Sequence, residues 1–115
     1  MSMTNLERNV KPTLITGLTA TAQLVSANPG FLIKLIGYNA NTPTMVFLQV
    51  FDAAAVSDVT VGTTVPKYVV PFITTVIDDN VFGIEFDKGV VVAATTTATG
   101  SGAGSITSLT AVYRG

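Results

Sequence analysis

Phe31-Leu-Ile-Lys-Leu-Ile-Gly-Tyr38 and Thr44-Met-Val-Phe-Leu-Gln-Val-Phe51 decide the fold class of this chain. Both runs have strand length and are rich in β-branched and aromatic residues. The gap between them, Asn39-Ala-Asn-Thr-Pro43, holds three strong turn formers, so the pair reads as a β-hairpin. With Tyr38 opposite Thr44, alternation places Phe31, Ile33, Leu35, Met45, Phe47 and Phe51 on one face of the ribbon. Leu32, Ile36, Tyr38, Val46, Leu48 and Val50 fall on the other, with Lys34 in their midst. Both faces are apolar. A two-layer sandwich needs one oily face per sheet, so the second face calls for a cover from the chain itself or from another molecule. Leu32, Lys34, Ile36, Tyr38, Val46, Leu48 and Val50 are therefore the candidate interface with a second subunit or another protein.

Composition agrees with an all-β chain. Charged residues make up 11% of the 115 positions, against a usual value of about 25%. Thr, Val, Ala and Gly dominate, which favours strands over helices. A single domain with one core is expected at this length. The net charge of −1 supplies no basic field, and the six cations, Arg8, Lys11, Lys34, Lys67, Lys88 and Arg114, are scattered singly. Nucleic acid is therefore not an expected partner. No apolar run approaches the ~18 residues of a membrane span. Met1-Ser-Met-Thr-Asn-Leu-Glu-Arg8 lacks the charged-then-oily pattern of a secretory signal. A soluble product made in the cytoplasm, with no membrane partner, is expected.

Residues 1–17 read as an N-terminal arm and edge segment, and residues 18–115 as the β-sandwich domain. Pro12 cannot donate to a ladder, so Val10 to Thr16 is an edge strand or an extended strap. Leu18 to Ser26 alternates cleanly and reads as one half-buried strand, after which Asn28-Pro29-Gly30 turns the chain into the hairpin. Asp52 to Asp58 reads as a loop and Val59 to Pro66 as short extended pieces. Pro66 and Pro71 push the strand Lys67 to Ile73 toward a sheet edge. Asp78-Asp79-Asn80 reads as a turn, Phe82, Ile84 and Phe86 as the inward side of a strand, and Asp87-Lys88-Gly89 as a turn into Val90-Val-Val-Ala-Ala94. Thr95 to Ser105 is low in complexity and reads as a mobile hairpin tip, and Ile106 to Tyr113 as the closing strand. Seven or eight short strands joined by turns predict a single antiparallel β-sandwich, jelly-roll-like or Greek-key.

The chemical inventory is thin. With no His and no Cys, the commonest general base, the commonest metal ligand and the best nucleophile are all missing. Glu85 and Asp87 lie two apart on a strand, the spacing of an acid/base pair or a calcium site, but alternation requires polar residues opposite Phe82, Ile84 and Phe86 in any case. Asp78-Asp79-Asn80 offers three oxygens without the longer spacing and terminal Glu of a calcium loop. Gly100-Ser-Gly-Ala-Gly104 lacks the Lys and following helix of a phosphate cradle. Lys34 either snorkels to solvent or pairs with a carboxylate such as Asp52 across an interface. Tyr38, Tyr68 and Tyr113 could stack on a sugar, so a carbohydrate-binding module is the alternative from another class. No enzyme, no metal and no cofactor is expected.

Six phrases carry a resemblance. They are Leu18-Thr-Ala-Thr-Ala22, Pro29-Gly30 before the oily strand, Val46-Phe-Leu-Gln-Val-Phe-Asp52, Gly62-Thr-Thr-Val-Pro66, Phe86-Asp-Lys-Gly-Val90 and Ala93-Ala-Thr-Thr-Thr-Ala-Thr-Gly100. In this order, over about residues 18 to 113, the chain resembles the small β-sandwich virion structural proteins of tailed bacteriophages. The resemblance implies a capsid decoration or cement protein that binds the major capsid protein lattice at the head surface. Neck, tail and head-fibre proteins share the type. It also implies no catalytic residues and a homo-oligomer, a trimer, since decoration proteins of this kind often sit at threefold positions.

Overall fold

The β-branched and aromatic runs form eight strands in the computed structural model, which describes residues 10–40 and 44–115, and only the backbone at 80–82. They are β1 (Val10–Leu18), β2 (Gln23–Ser26), β3 (Gly30–Tyr38), β4 (Val46–Asp52), β5 (Tyr68–Phe72), β6 (Thr75–Phe86), β7 (Val90–Thr95) and β8 (Ile106–Arg114). Two four-stranded antiparallel sheets, ordered β1-β8-β3-β6 and β2-β7-β4-β5, pack face to face. The chain changes sheet after every strand except between β4 and β5. This is the connectivity of an eight-stranded jelly roll, so the all-β sandwich read from the sequence is the observed fold. Leu18, Leu32, Leu35, Leu48, Phe86, Ile106 and Leu109, each essentially without solvent contact, fill the space between the sheets.

The central pair is not a hairpin. β3 lies between β8 and β6 in the first sheet, and β4 lies between β7 and β5 in the second. Residues 39–45 separate them, a connection longer than the two to five residues typical of hairpin loops and able to cross the ~10 Å between packed sheets. At its start, the backbone N–H of the buried Asn39 donates to Thr74 O at 2.7 Å, tying the chain to the β5–β6 connection instead of back onto β3. The apolar residues of the two strands thus face one another across the core. This arrangement buries Leu32 against the side that also holds Val46, Leu48 and Val50.

A bulge at Ile33 resets the alternation. Both ladders of β3 shift register between Leu32 and Lys34, so Leu32 and Leu35 both point into the core with no exposed surface. Strict alternation from Leu32 would send Lys34 inward, and burying an unpaired ammonium costs several kcal/mol. The extra residue turns Lys34 outward, where its Nζ lies 3.8 Å from Asp79 Oδ2. Asp52 is not its partner.

The second sheet has its inner face and most of its outer face covered by its own chain, with Leu24 on the edge strand left 42% exposed. Phe51, Ala53, Val91 and Ala93 form a small outer cluster, over which Ala22, Val59 and Val61 pack. Gln49, wholly buried on the same side, donates from Nε2 to Thr95 Oγ1 at 2.8 Å, to Gly100 O at 3.0 Å and to Thr97 O at 3.3 Å. Thr96 N–H to Gly102 O and Gly104 N–H to Ala94 O close the same loop. Thr95 to Ser105 is therefore an anchored connection between β7 and β8, in different sheets, and not the tip of a hairpin.

Other boundaries differ from expectation for local reasons. Leu18 to Ser26 is not one strand: Leu18 ends β1, residues 19–22 cross between sheets, and β2 begins at Gln23. Asp78 and Asp79 sit inside β6 opposite Leu35 and Lys34. Residues 59–67 contain a turn and no strand. The Ala triplet leads into a single 3-10 turn at Val56–Asp58. The edge placements of β1 and β5 follow their prolines. Residues 1–9, residues 41–43 of the expected turn and the side chains of residues 80–82 lie outside the described residues.

Candidate interaction surface

Antiparallel register sets Leu14 beside Thr110, Thr110 beside Ile36 and Ile36 beside Ile77, one row across all four strands of the first sheet. Leu14 is 65% exposed, Ile36 39% and Ile77 66%. On one side runs the row Pro12, Val112, Lys34, Asp79, and on the other the row Thr16, Ser108, Tyr38, Thr75. Tyr38 is 46% exposed. Farther along, the Arg114 guanidinium lies 4.8 Å from the centre of the Phe31 ring. A solvated sheet face ordinarily alternates polar residues outward. This one keeps an oily row between an ion pair and a row of hydroxyls. The ion pair is partly exposed on both sides and is worth at most about 1 kcal/mol to the isolated chain.

The seven candidate interface residues divide between two places. Lys34, Ile36 and Tyr38 lie on this outer face, whereas Leu32, Val46, Leu48 and Val50 are buried between the sheets and are unavailable to another molecule. The division follows from the Ile33 bulge and from the separation of β3 and β4 into different sheets. Leu14 and Ile77 complete the face and are not among the candidate interface residues read from the sequence. The alternation Pro12, Leu14, Thr16 marks an outward Leu14, but only the strand order sets it in line with Ile77.

The catalytic candidates are not assembled. Glu85 is exposed on β6, while Asp87 has left the strand for the following turn. Alternation sends Asp78 and Asp79 apart: Tyr68 OH donates to Asp78 Oδ2 at 2.6 Å, and Asp79 faces outward with Lys34. Among the described residues no group of three or more His, Cys, Asp or Glu could hold a metal ion. The tyrosines make no shared platform, because Tyr68 packs on the core, Tyr113 is buried and Tyr38 points out from the first sheet. Two shallow grooves of about 240 and 300 Å³ open at the ends of the sandwich, at or below the lower limit of ~300 Å³ for ligand sites. The smaller is lined by Lys11, Ser26, Asn28 and Tyr113. Tyr113 OH donates to Asn28 O at 2.7 Å. Burial, with the negative charge of Asp52, raises its pKa to about 12, so the phenol stays protonated and is no general base. No helix among the described residues is long and apolar enough to cross a membrane.

Asp52 has a structural task. At the end of β4 its carboxylate accepts the backbone N–H of Asp87 at 3.1 Å and of Lys88 at 2.9 Å, clamping the β6–β7 turn. Burial pushes its pKa up, but the N–H groups of Lys88, Asp87 and Gly89 and the charge of Lys67 outweigh burial and hold it below 3.8. A carboxyl with a lowered folded pKa adds stability above its unfolded value, and that stability is lost as pH falls through the folded pKa. Asp52→Asn is therefore expected to lower the melting temperature by a few degrees at neutral pH, with the gap from the parent narrowing below pH 3.8. Thermal melts from neutral to strongly acidic pH check this, and a gap of constant size would show that the charge plays no part.

No family model, no curated protein and no solved structure matches this chain.

Proposed function

We propose that the chain is a structural protein of a tailed-phage particle, a capsid decoration or cement protein that acts by packing against the major capsid protein at the head surface. The observation that carries this reading is the contrast between the two sheets. One has most of its outer side covered by the chain's own loops, with Leu24 left exposed near its edge, and the other presents Leu14, Ile36, Tyr38 and Ile77 in the open. A protein whose working surface is a flat sheet face needs no cleft and no nucleophile, which suits a chain without His or Cys. The sequence phrases from Leu18 to Gly100 support the virion assignment. The jelly roll supports it by analogy alone, since viral capsid domains, lectins and cupins share that architecture.

The test is quantitative mass spectrometry of purified particles of the source virus. A decoration protein is expected in a copy number matching the capsid lattice. A few copies per particle would move the chain to the neck, tail or a head fibre, and absence from the particle would end the reading.

A further inference from the structure

We propose that the outer face of the first sheet is a self-association surface, on which two copies of this chain pack about a two-fold axis running along the row Leu14, Thr110, Ile36, Ile77. The proposal concerns the chain alone and stands whichever particle it belongs to. Two sheets packed face to face keep their strand directions within about 30° of each other, so a two-fold axis in the interface runs either along the strands or across them. The charges choose between the two. An axis along the strands lays Lys34 and Asp79 over Pro12 and Val112 of the second copy, burying both charges against groups that offer them no hydrogen bond.

An axis across the strands keeps the oily row on its own copy. It carries the row of Lys34 and Asp79 onto the row of Tyr38 and Thr75, because these rows lie two residues to either side of Ile36 and Ile77. Lys34 then meets a tyrosine ring and hydroxyl, and Asp79 meets a threonine hydroxyl that can donate to it. Of the two orientations, this one alone gives both charges a polar partner, while Val112 and Pro12 lie over Ser108 and Thr16. Four strands ~4.8 Å apart and about six residues of strand length give on the order of 400 Å² of flat sheet per copy, and protruding side chains raise the accessible area above that. The two copies together then approach the ~1,000 Å² of a minimal specific interface. A dimer that forms at micromolar concentration and dissociates on dilution is the expected product.

Light scattering with in-line chromatography on the full chain is expected to give twice the 11.9 kDa chain mass. Ile36→Asp, at a partly exposed site, is expected to leave the melting temperature and the strand signal in circular dichroism intact while weakening dimerisation by on the order of 100-fold. Because the chain has no cysteine, single thiols report the geometry cleanly. Ile36→Cys, on the axis, is expected to couple to its own copy through a short bis-maleimide linker, and Val65→Cys, 83% exposed on the connection between β4 and β5, is not. A monomer at high micromolar concentration overturns the proposal, as does a dimer that survives both Ile36→Asp and Ile77→Asp. A trimer overturns the two-fold geometry. Both readings use this face, so the dimer is the free form of the chain. It must open, as its dissociation on dilution allows, before the face meets the capsid protein. Solution mass tests the dimer and particle copy number tests the virion reading, so each fails by its own measurement.

Discussion

Leu48→Asp is expected to leave the chain without a cooperative fold. Leu48 has no solvent contact and sits on β4 at the centre of the core, on the same side as Val46 and Val50. Truncating such a leucine costs about 2–5 kcal/mol in lost burial and cavity. A carboxylate adds several kcal/mol more, whether it stays charged or takes up a proton and buries an unpaired hydroxyl. Domains of this kind hold only about 5–15 kcal/mol of stability in total. Circular dichroism and the dispersion of amide signals in NMR should both report an unfolded chain at room temperature. A folded Leu48→Asp protein of altered mass would mean that Leu48 faces a neighbour after all. The contrast with Ile36→Asp is the point of the experiment, since reading β3 and β4 as one ribbon puts both residues on a single face.

That difference shows what was legible in the sequence and what was not. Alternation and composition are local, and they located β1, β5, β7 and β8, the Asp87-Lys88-Gly89 turn and the class of fold. Prolines at positions 12 and 71 marked two edge strands because a missing N–H is a local fact with a topological consequence. Sheet membership is different. Turn formers at 39–43 signal a change of direction, and they look the same whether the chain pairs back on itself or crosses to the opposite sheet.

The phase of β3 was hidden for a related reason. One extra residue at Ile33 inverts every later assignment, and nothing in Leu32-Ile33-Lys34 announces it except the awkwardness of an inward Lys34. Gln49 was likewise hidden. A single polar residue in an oily run does not announce burial, and only the fold-back of the loop at 95–104 supplies the acceptors for its Nε2, while its buried Oε1 is left without a donor. Of the candidate interface, Lys34, Ile36 and Tyr38 survive as surface because the bulge displaced them from the core. Leu14 and Ile77 join them through contacts far apart in sequence.

The bulge itself can be tested by two single-residue deletions in β3 with opposite outcomes. Deleting Ile33 makes Leu32 and Lys34 neighbours. Their partners in β8, Tyr113 and Val112, are neighbours already. The pairing with β8 becomes regular, Leu32 and Leu35 stay inward and Lys34 stays outward, while the wider irregularity of β6 between Asp79 and Ile84 is left in place. The side-chain loss is one half-buried isoleucine, about 1–2 kcal/mol. Deleting Ile36 shifts the strand in the opposite sense, moving Gly37 outward and Tyr38 into the inward position that Gly37 now holds. That position has no room: a Cβ on Gly37 would already lie 3.0 Å from Phe72 Cζ and 3.2 Å from a Val76 methyl. A tyrosine ring there displaces Phe72 from the core, at a cost well above the ~1–3 kcal/mol of ordinary overpacking. Urea titration should therefore show a cooperative transition at a lowered midpoint for the Ile33 deletion and none for the Ile36 deletion. If both variants fold, or both fail, the extra residue at position 33 is not what sets the face of β3.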